Sequence, residues 1–230
     1  MAGLFFYQQS KKSIPIPTDS WLFWHEADSG VTMNGSNVAG IADKTGNGWD
    51  ISQSDVGLQA PLAVGYVNGH DAVYFDNGKR LENLFFNAYA DLTSFTIHFC
   101  GRSNNDADSV LYGFGSTWQQ RSIYTYAQQY VYLTCAGTPL LFNYTDGYQK
   151  WHVYTYRYNT ATSTAELLID GVSIGTAVKA LSTLANGMWL GWKDIRFGGH
   201  WSGWVGYKKY QDNGEVATTV NYLKTKYGII

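Results

Sequence analysis

The chain has 230 residues and a formal net charge of −2, with 15% charged and 17% aromatic residues. This length predicts one large domain whose core is big enough to fold without disulfides. No basic cluster is larger than Lys208-Lys209, so nucleic acid is excluded as an expected partner. No apolar run approaches the roughly 20 residues of a membrane-spanning helix, so no membrane partner is expected.

Residues 1–18 form an aromatic and then polar leader that ends in Ile14-Pro15-Ile16-Pro17, a sequence that favours extended backbone. Met1–Tyr7 is short and carries no basic residues, so we predict no signal peptide. Residues 19–230 form the predicted domain.

Apolar and polar residues alternate along most of the domain, which predicts strands that bury one face. Residues 29–40, 50–70 and 101–108 are predicted to be loops. Together the strands predict an all-β fold, a two-sheet antiparallel sandwich. The predicted strands lie near residues 21–25, 71–76, 81–86, 93–100, 109–114, 121–126, 129–135, 139–143, 151–158, 165–170, 187–192 and 203–210.

The last residues of the chain switch to helical spacing. Val216, Val220, Leu223 and Tyr227 recur at intervals of three and four, which predicts a short C-terminal helix with one buried face. Asp212 or Asn213 can cap its start, and Gly228 is suited to end it.

A series of short motifs runs through the chain in a fixed order. The segments are Trp21–Asp28, Asp43–Gly48, Asp71–Gly78, Phe95–Phe99, Trp151–Tyr156, Glu166–Gly171 and Gly203–Tyr227. The series resembles concanavalin A-like lectin and laminin-G-like jelly-roll domains, of the kind found in phage and viral structural proteins. The resemblance implies a jelly-roll sandwich closed by a strand and a short helix, a fold that hosts lectins, glycosidases and structural modules alike.

Carboxylates in the arrangement that glycosidases need are missing. Glycosidases of this fold carry a Glu-x-Asp-x-Glu pattern on one strand, which places the acids on one face. Glu166 and Asp170 share a face but would lie roughly 13 Å apart at strand rise. Glu26 and Asp28 are expected to anchor a loop. We predict no catalytic residue, with a glycoside hydrolase-like enzyme as the alternative.

Neither a metal nor another cofactor is predicted. Asp43, Thr45 and Asn47 have the spacing of calcium ligands, but Ser54 stands at the twelfth position, where a calcium loop has Glu. A tight turn explains the same residues. Cys100 and Cys135 are interpreted as half-buried free thiols, with a disulfide as the alternative.

Aromatic and amide side chains crowd the segment from Trp118 to Tyr132. Sugars have apolar C–H faces and hydroxyl rims, which such side chains bind. A turn near Ala127 would place Tyr124 and Tyr126 beside Tyr130 and Tyr132. A second cluster contains Trp192, His200, Trp201, Trp204 and Tyr207; in both clusters the alternative is that the rings fill the core. The predicted carbohydrate-binding residues are Trp118, Gln120, Arg121, Tyr124, Tyr126, Tyr130, Tyr132 and Trp201.

These observations favour a non-catalytic, lectin-like virion protein that binds carbohydrate at the host surface. A domain that starts at Met1 without an export signal suits a phage particle protein made in the host cytoplasm. Leu4, Phe5, Phe6 and Tyr7 would then attach it to other virion proteins, because an exposed apolar arm needs a cover. The alternative for these four residues is a strand added to the domain's own sheet. A homo-oligomer is a further partnership considered for the domain. The alternative is a secreted or cell-surface carbohydrate-binding module.

Overall fold

The computed structural model describes residues 16–76, 78–86, 94–104, 109–115, 121–126, 130–135, 138–145, 149–181, 187–191 and 198–230. In this part of the chain the backbone forms antiparallel strands and one α-helix. The elements are β1 (Trp21–Glu26), β2 (Val31–Asn34), β3 (Asn37–Ile41), β4 (Ile51–Ser52), β5 (Ala60–Val67), β6 (His70–Phe75), β7 (Leu81–Asn83), β8 (Phe95–Ser103), β9 (Ser109–Phe114), β10 (Arg121–Tyr126), β11 (Tyr130–Cys135), β12 (Thr138–Asn143), β13 (His152–Asn159), β14 (Thr164–Ile169), β15 (Val172–Val178), β16 (Met188–Leu190), β17 (Gly199–Tyr207) and α1 (Asn213–Tyr227).

The strands form two sheets that pack as a jelly-roll sandwich. In sheet A the order is β15-β14-β13-β8-β17, and the far side of β17 pairs with β1 near one end and with β6 near the other. In sheet B the order is β12-β11-β10-β9-β16-β7-β4-β3-β2. Strand β5 pairs with β6 in sheet A and with β3 in sheet B, so it links the two sheets.

Aromatic rings fill much of the core between the sheets. Phe99, Tyr154 and Trp204 are fully buried there, and the ring centroids of Phe23 and Trp204 lie 4.6 Å apart. Large rings bury much apolar area with few rotatable bonds. The core therefore accounts for a good part of the aromatic content of the chain.

Helix α1 packs on the outer face of sheet A and confirms the predicted C-terminal helix. Its four predicted core residues are buried in one cluster with Cys100, Val153 and Leu168 of the sheet. Asp212 caps the helix through a capping box with Glu215, and Gly228 ends it with a left-handed φ of 64°. The helix therefore gives sheet A a second, smaller core on its outer side.

The predicted loops at 29–40 and 50–70 were wrong, because β2, β3, β4 and β5 lie within them. These strands are short or irregular, and bulges interrupt β2–β3 and β5–β6, so their alternation is weak in the sequence. The other predicted strands were confirmed to within a few residues, except that β8 continues to Ser103 and β15 was not foreseen.

The end of the predicted leader packs against the domain. Ile16 is buried with Trp24, Val205 and Tyr207, and Lys209 forms an ion pair with Asp19. The predicted attachment residues Leu4, Phe5, Phe6 and Tyr7 lie outside the described residues.

Candidate functional site

The tyrosine hairpin, made by β10 and β11, has the pairing that the sequence predicted. Tyr124 pairs with Tyr132 and Tyr126 pairs with Tyr130. Arg121 begins β10 and pairs with Phe114 of β9. Trp118 and Gln120 lie outside the described residues. The hairpin therefore brings four of the predicted residues into adjacent positions of sheet B.

Trp201 does not form a surface platform, and this prediction was wrong. Its side chain is fully buried, as are Trp204 and Tyr207 from the same predicted cluster. A bulge between Trp201 and Gly203 keeps Trp201 and Trp204 both in the core between the sheets. Trp192 lies outside the described residues, which leaves His200 as the cluster member near the surface.

The acidic residues considered for catalysis bind basic partners. Glu26 is buried and forms ion pairs with Lys44 and with Lys226 of α1. Asp28 binds the same Lys226. These contacts confirm that Glu26 and Asp28 anchor a loop, and they show that the pair also holds α1 on the sheet.

Glu166 and Asp170 are also held by neighbouring strands. Arg157 Nε donates to Glu166 at 2.6 Å, and Arg157 lowers the pKa of this carboxyl against the opposing effect of burial. Asp170 accepts from His152 and occupies the predicted turn with a φ of 53°. Both acids therefore have structural roles.

The Asp43 loop is a tight turn. The Asp43 carboxylate accepts from the backbone N–H groups of Trp24, Thr45 and Trp49, and Gly46 and Gly48 have φ angles of 79° and 80°. No group of three or more metal-ligating side chains occurs within the described residues. Cys100 is a free thiol, as predicted, but it is fully buried rather than half-buried, and burial raises its pKa.

An open aromatic surface lies on the outer face of sheet A, beside the C-terminal end of α1. We call it the Tyr66 shelf. The Tyr66 ring stacks on the His200 ring with centroids 4.0 Å apart and an interplanar angle of 8°. Tyr66 is 43% exposed, whereas His200 is 7% exposed and supports it from below. The residues of the shelf are Tyr66, Tyr74, Arg102, Asn104, Trp151 and His200.

A bulge in β5 positions Tyr66. Leu62 and Ala63 pair regularly with β6, pairing resumes only at Val67, and the three residues between bulge outward. Gly65 has a φ of 63° and donates its N–H to the Asp71 carboxylate, which fixes the bulge. The extra residues turn the Tyr66 ring over the sheet face.

The other shelf residues come from strands that lie side by side. His200 of β17 pairs with Tyr74 of β6 on one side and with Arg102 of β8 on the other. Trp151 directly precedes β13 and lies on the far side of Arg102, with its ring centroid 6.4 Å from that of His200. In the order of the strands, the Arg102 position therefore lies between those of His200 and Trp151.

His200 is neutral at physiological pH. Burial and then the charge of Arg102 lower its pKa to about 4. Asn104 Nδ2 donates to His200 Nδ1 at 3.3 Å, which leaves the ring proton on Nε2. The imidazole is therefore an uncharged ring whose second nitrogen is a hydrogen-bond donor.

Two polar atoms of the shelf have no hydrogen-bond partner in the part of the chain that the structure describes. They are Arg102 Nε and Asn104 Oδ1, both buried. Buried polar atoms are nearly always paired, with protein, water or ligand. Arg102 also has no ion pair with any described carboxylate, although its side chain is partly exposed. The shelf thus combines aromatic faces with a buried donor and a buried acceptor that have no partner among the described residues.

A separate cavity of about 290 Å³ lies at the edge of sheet B. It contains two carboxylates, but Asp50 accepts from the backbone of Asp43, and Glu82 accepts from Arg80. Both acids thus stabilise local structure. The cavity is lined by Asp50, Ser52, Gln53, Ser54, Glu82, Asn83, Leu84 and Phe85.

Sequence reasoning missed five of the six shelf residues. They lie on separate strands, so no spacing along the chain joins them. One signal was present in the sequence. Asn68-Gly69 is a strong indication of a two-residue hairpin turn, and it places Tyr66 near the end of a strand. The φ angles of these two residues, 48° and 77°, agree with such a turn.

No protein-family model matches the chain, and no curated protein sequence is similar to it. Its fold is similar to solved structures of botulinum neurotoxin receptor-binding domains. One is the serotype D ligand binding domain in complex with N-acetylneuraminic acid (11% identity, 89% of this chain, 51% of that chain, TM-score 0.66). A second concerns botulinum neurotoxin type C, whose cell entry depends on interaction with two ganglioside molecules (15% identity, 90% of this chain, 52% of that chain, TM-score 0.66). A third is the receptor binding domain of botulinum neurotoxin D (13% identity, 89% of this chain, 53% of that chain, TM-score 0.66).

These identities establish a shared β-sandwich fold and nothing finer. The chain spans about half the length of each neighbour. Among the described residues, no helix has the length and apolar character needed to cross a bilayer.

Proposed function

We propose that this chain is a non-catalytic carbohydrate-binding domain and that the Tyr66 shelf is its sugar site. The observation that carries the proposal is the exposed Tyr66 ring, stacked on a buried, neutral His200 beside two polar atoms that have no partner among the described residues. A pyranose would lay its C–H face on Tyr66. Its hydroxyl groups would donate to Asn104 and accept from Arg102 or His200 Nε2.

Rigidity of the platform favours binding. Tyr66 is fixed by the Gly65 bulge and by its stacking on His200, so its ring loses little conformational entropy when a ligand binds. Pairing Asn104 Oδ1 with a sugar hydroxyl would also remove the cost of an unpaired buried acceptor, roughly 1–3 kcal/mol.

We further propose that the tyrosine hairpin is a second glycan contact, on the other side of the sandwich. The four tyrosine positions alternate with the buried Ile123, Thr125 and Val131, so they fall on the face of sheet B that is turned away from the core. The Tyr66 shelf lies on the outer face of sheet A, so the two surfaces would bind separate glycan chains.

The relatives in fold give independent support. Two of the neurotoxin structures concern recognition of N-acetylneuraminic acid or gangliosides. On the motifs from Trp21 to Tyr227 we further propose that the domain is of the concanavalin A-like, laminin-G-like kind. We also propose that it is a phage virion protein attached through Leu4–Tyr7, made in the host cytoplasm, with host-surface glycan as its ligand.

The test is calorimetric titration with a panel of oligosaccharides, using Tyr66→Ala and Tyr66→Phe. We expect Tyr66→Ala to weaken binding by about 1–3 kcal/mol and Tyr66→Phe to retain most of it, because the ring face makes the contact. Phe85→Ala is the matched control, since Phe85 is 86% exposed and lies at the separate cavity. Equal binding by Tyr66→Ala and the unchanged protein would refute the site.

Lack of catalysis is tested at the cavity where two carboxylates meet. We expect no hydrolysis of β-glucans or galactans, either by the unchanged protein or by Glu82→Gln. Turnover that Glu82→Gln or Glu26→Gln abolishes would support the enzyme alternative instead.

A further inference from the structure

We infer that the Tyr66 shelf selects an acidic sugar, and that Arg102 binds its anionic group. This inference rests on the proposed sugar-binding function, but it comes from a different observation. Arg102 is a partly exposed arginine with no carboxylate partner among the described residues, and its strand position lies between those of His200 and Trp151.

Arg102 lacks a partner that a ligand could supply. Its Nε is buried and has no hydrogen-bond partner among the described residues, which forfeits a hydrogen bond. Burial and then the charge of Arg102 lower the pKa of the neighbouring His200, so this histidine adds no second positive charge. An anion opposite the guanidinium would supply the missing partner, and a planar guanidinium matches the two oxygens of a carboxylate.

Two other described arginines show the contrast. Arg157 is held by Glu166, by the backbone oxygen of Gln211 and by Asn213. Arg80 is bound to Glu82. Each of these two has an acid as its partner, whereas Arg102 has none among the residues that the structure describes.

Charges around the shelf also orient the ligand. Asp76 lies beside Tyr74, where its charge helps to raise the tyrosine pKa. Tyr74 and Arg102 flank His200 on opposite sides. The acidic group would therefore lie at the Arg102–Trp151 end, and a neutral ring of the glycan would lie over Tyr66 toward Tyr74.

The experiment compares each acidic sugar with its own methyl ester, which keeps the sugar and removes the charge. The probes are 3′-sialyllactose and tetragalacturonate with their methyl esters, together with lactose and a sulfated galactobiose. We expect the unchanged protein to bind at least one acid about tenfold more tightly than its ester. Arg102→Gln should abolish that preference, so that the acid and its ester bind with equal affinity.

Two variants separate the anion contact from general effects. Arg102→Lys should keep part of the preference for the acid, because the charge remains while the planar fork is lost. Lys208→Gln removes one exposed positive charge roughly 26 Å along β17 from His200 and should leave the preference intact. Thermal unfolding checks that each variant is folded.

The outcomes distinguish this inference from the proposed function. Equal affinity for acid and ester, with binding that still requires Tyr66, would overturn the role of Arg102 while sugar binding stands. A preference that survives in Arg102→Gln would overturn it too. No binding of any probe would overturn both. Comparison of the carboxylated and sulfated probes then identifies the anion, since either is compatible with a guanidinium.

Discussion

The outer face of sheet A has one half that α1 covers and one open half, the Tyr66 shelf, and the pairing of polar groups differs between the two. Beneath α1, Glu26 is paired with Lys44 and Lys226, and Arg157 is paired with Glu166. On the open Tyr66 shelf, Arg102 Nε and Asn104 Oδ1 lack described partners. On one sheet, polar groups beneath the helix are paired with each other and stabilise the fold, whereas two polar atoms on the shelf have no partner among the described residues.

Acid should act most strongly on the covered half. His98 is buried there between Thr155 and Gln211, and desolvation lowers its pKa to about 4; His25, near the Asp43 loop, is buried with a similarly lowered pKa. The unfolded chain binds protons at these histidines below about pH 6.5, but the folded protein does so only near pH 4. The free energy of unfolding should therefore fall as pH drops through this window, on the order of 3 kcal/mol for each histidine.

Urea denaturation at neutral pH and at about pH 4.5 measures this loss. His98→Gln should be less stable at neutral pH but should have a shallower pH dependence. A variant that keeps the full dependence would show that His98 is not among the groups responsible.

Glu26→Gln should break the ion pairs that hold α1 on the sheet. Lys44 and Lys226 would lose a partner that is 1% exposed, so we expect a loss of about 3 kcal/mol in unfolding free energy. Sugar binding should be unchanged. Asp19→Asn, which breaks the exposed pair with Lys209, is the control and should have no measurable effect on stability. Loss of sugar affinity in a folded Glu26→Gln protein would show that the covered half also contributes to sugar binding, which contradicts the comparison.

The tyrosine hairpin should bind glycan separately from the Tyr66 shelf. Tyr124→Ala and Tyr126→Ala should weaken binding of a polysaccharide by about 1 kcal/mol, and by the same amount when Tyr66→Ala is also present. Titration of the single and combined variants measures the difference. An effect that disappears when Tyr66 is replaced would place both surfaces in one site; a large loss of stability with unaltered binding would place the hairpin rings in the core.

Deletion of residues 2–12 should have the smallest effect on the fold. Ile16 is retained, and its buried contacts with Trp24, Val205 and Tyr207 anchor the chain after the deletion. We expect unchanged thermal unfolding but failure to enter particles, measured by fractionating them. Ile16→Ala is the opposite control, expected to cost about 2 kcal/mol while assembly is retained. Normal incorporation of the truncated protein would exclude Leu4–Tyr7 as the attachment segment.

Sequence reasoning succeeded where a pattern is local. The spacing of Val220 and Leu223, the cap at Asp212 and the stop at Gly228 all lie within one helix, and the structure confirmed each of them. The pairing of Tyr124 with Tyr132 follows from a single turn, and it too was confirmed.

Prediction failed where the decisive contact is long-range. Trp201 and His200 are neighbours in the chain, yet one is in the core and the other under an exposed ring. Alternation separates their faces, but only the pairing of β17 with β6 and β8 determines which face is covered. Arg102 and Tyr66 come together through that pairing and through a bulge whose only local sign is Gly65.

Cys100 gives the covered half a built-in reporter. Its thiol is completely buried in the cluster that α1 forms with sheet A, so a labelling reagent can reach it only when the helix lifts away. With Cys135 replaced by Ser, the rate at which Cys100 is modified would measure how often the helix opens, without any denaturant. Repeating the measurement with sugar present would show whether binding at the Tyr66 shelf changes the opening rate of α1.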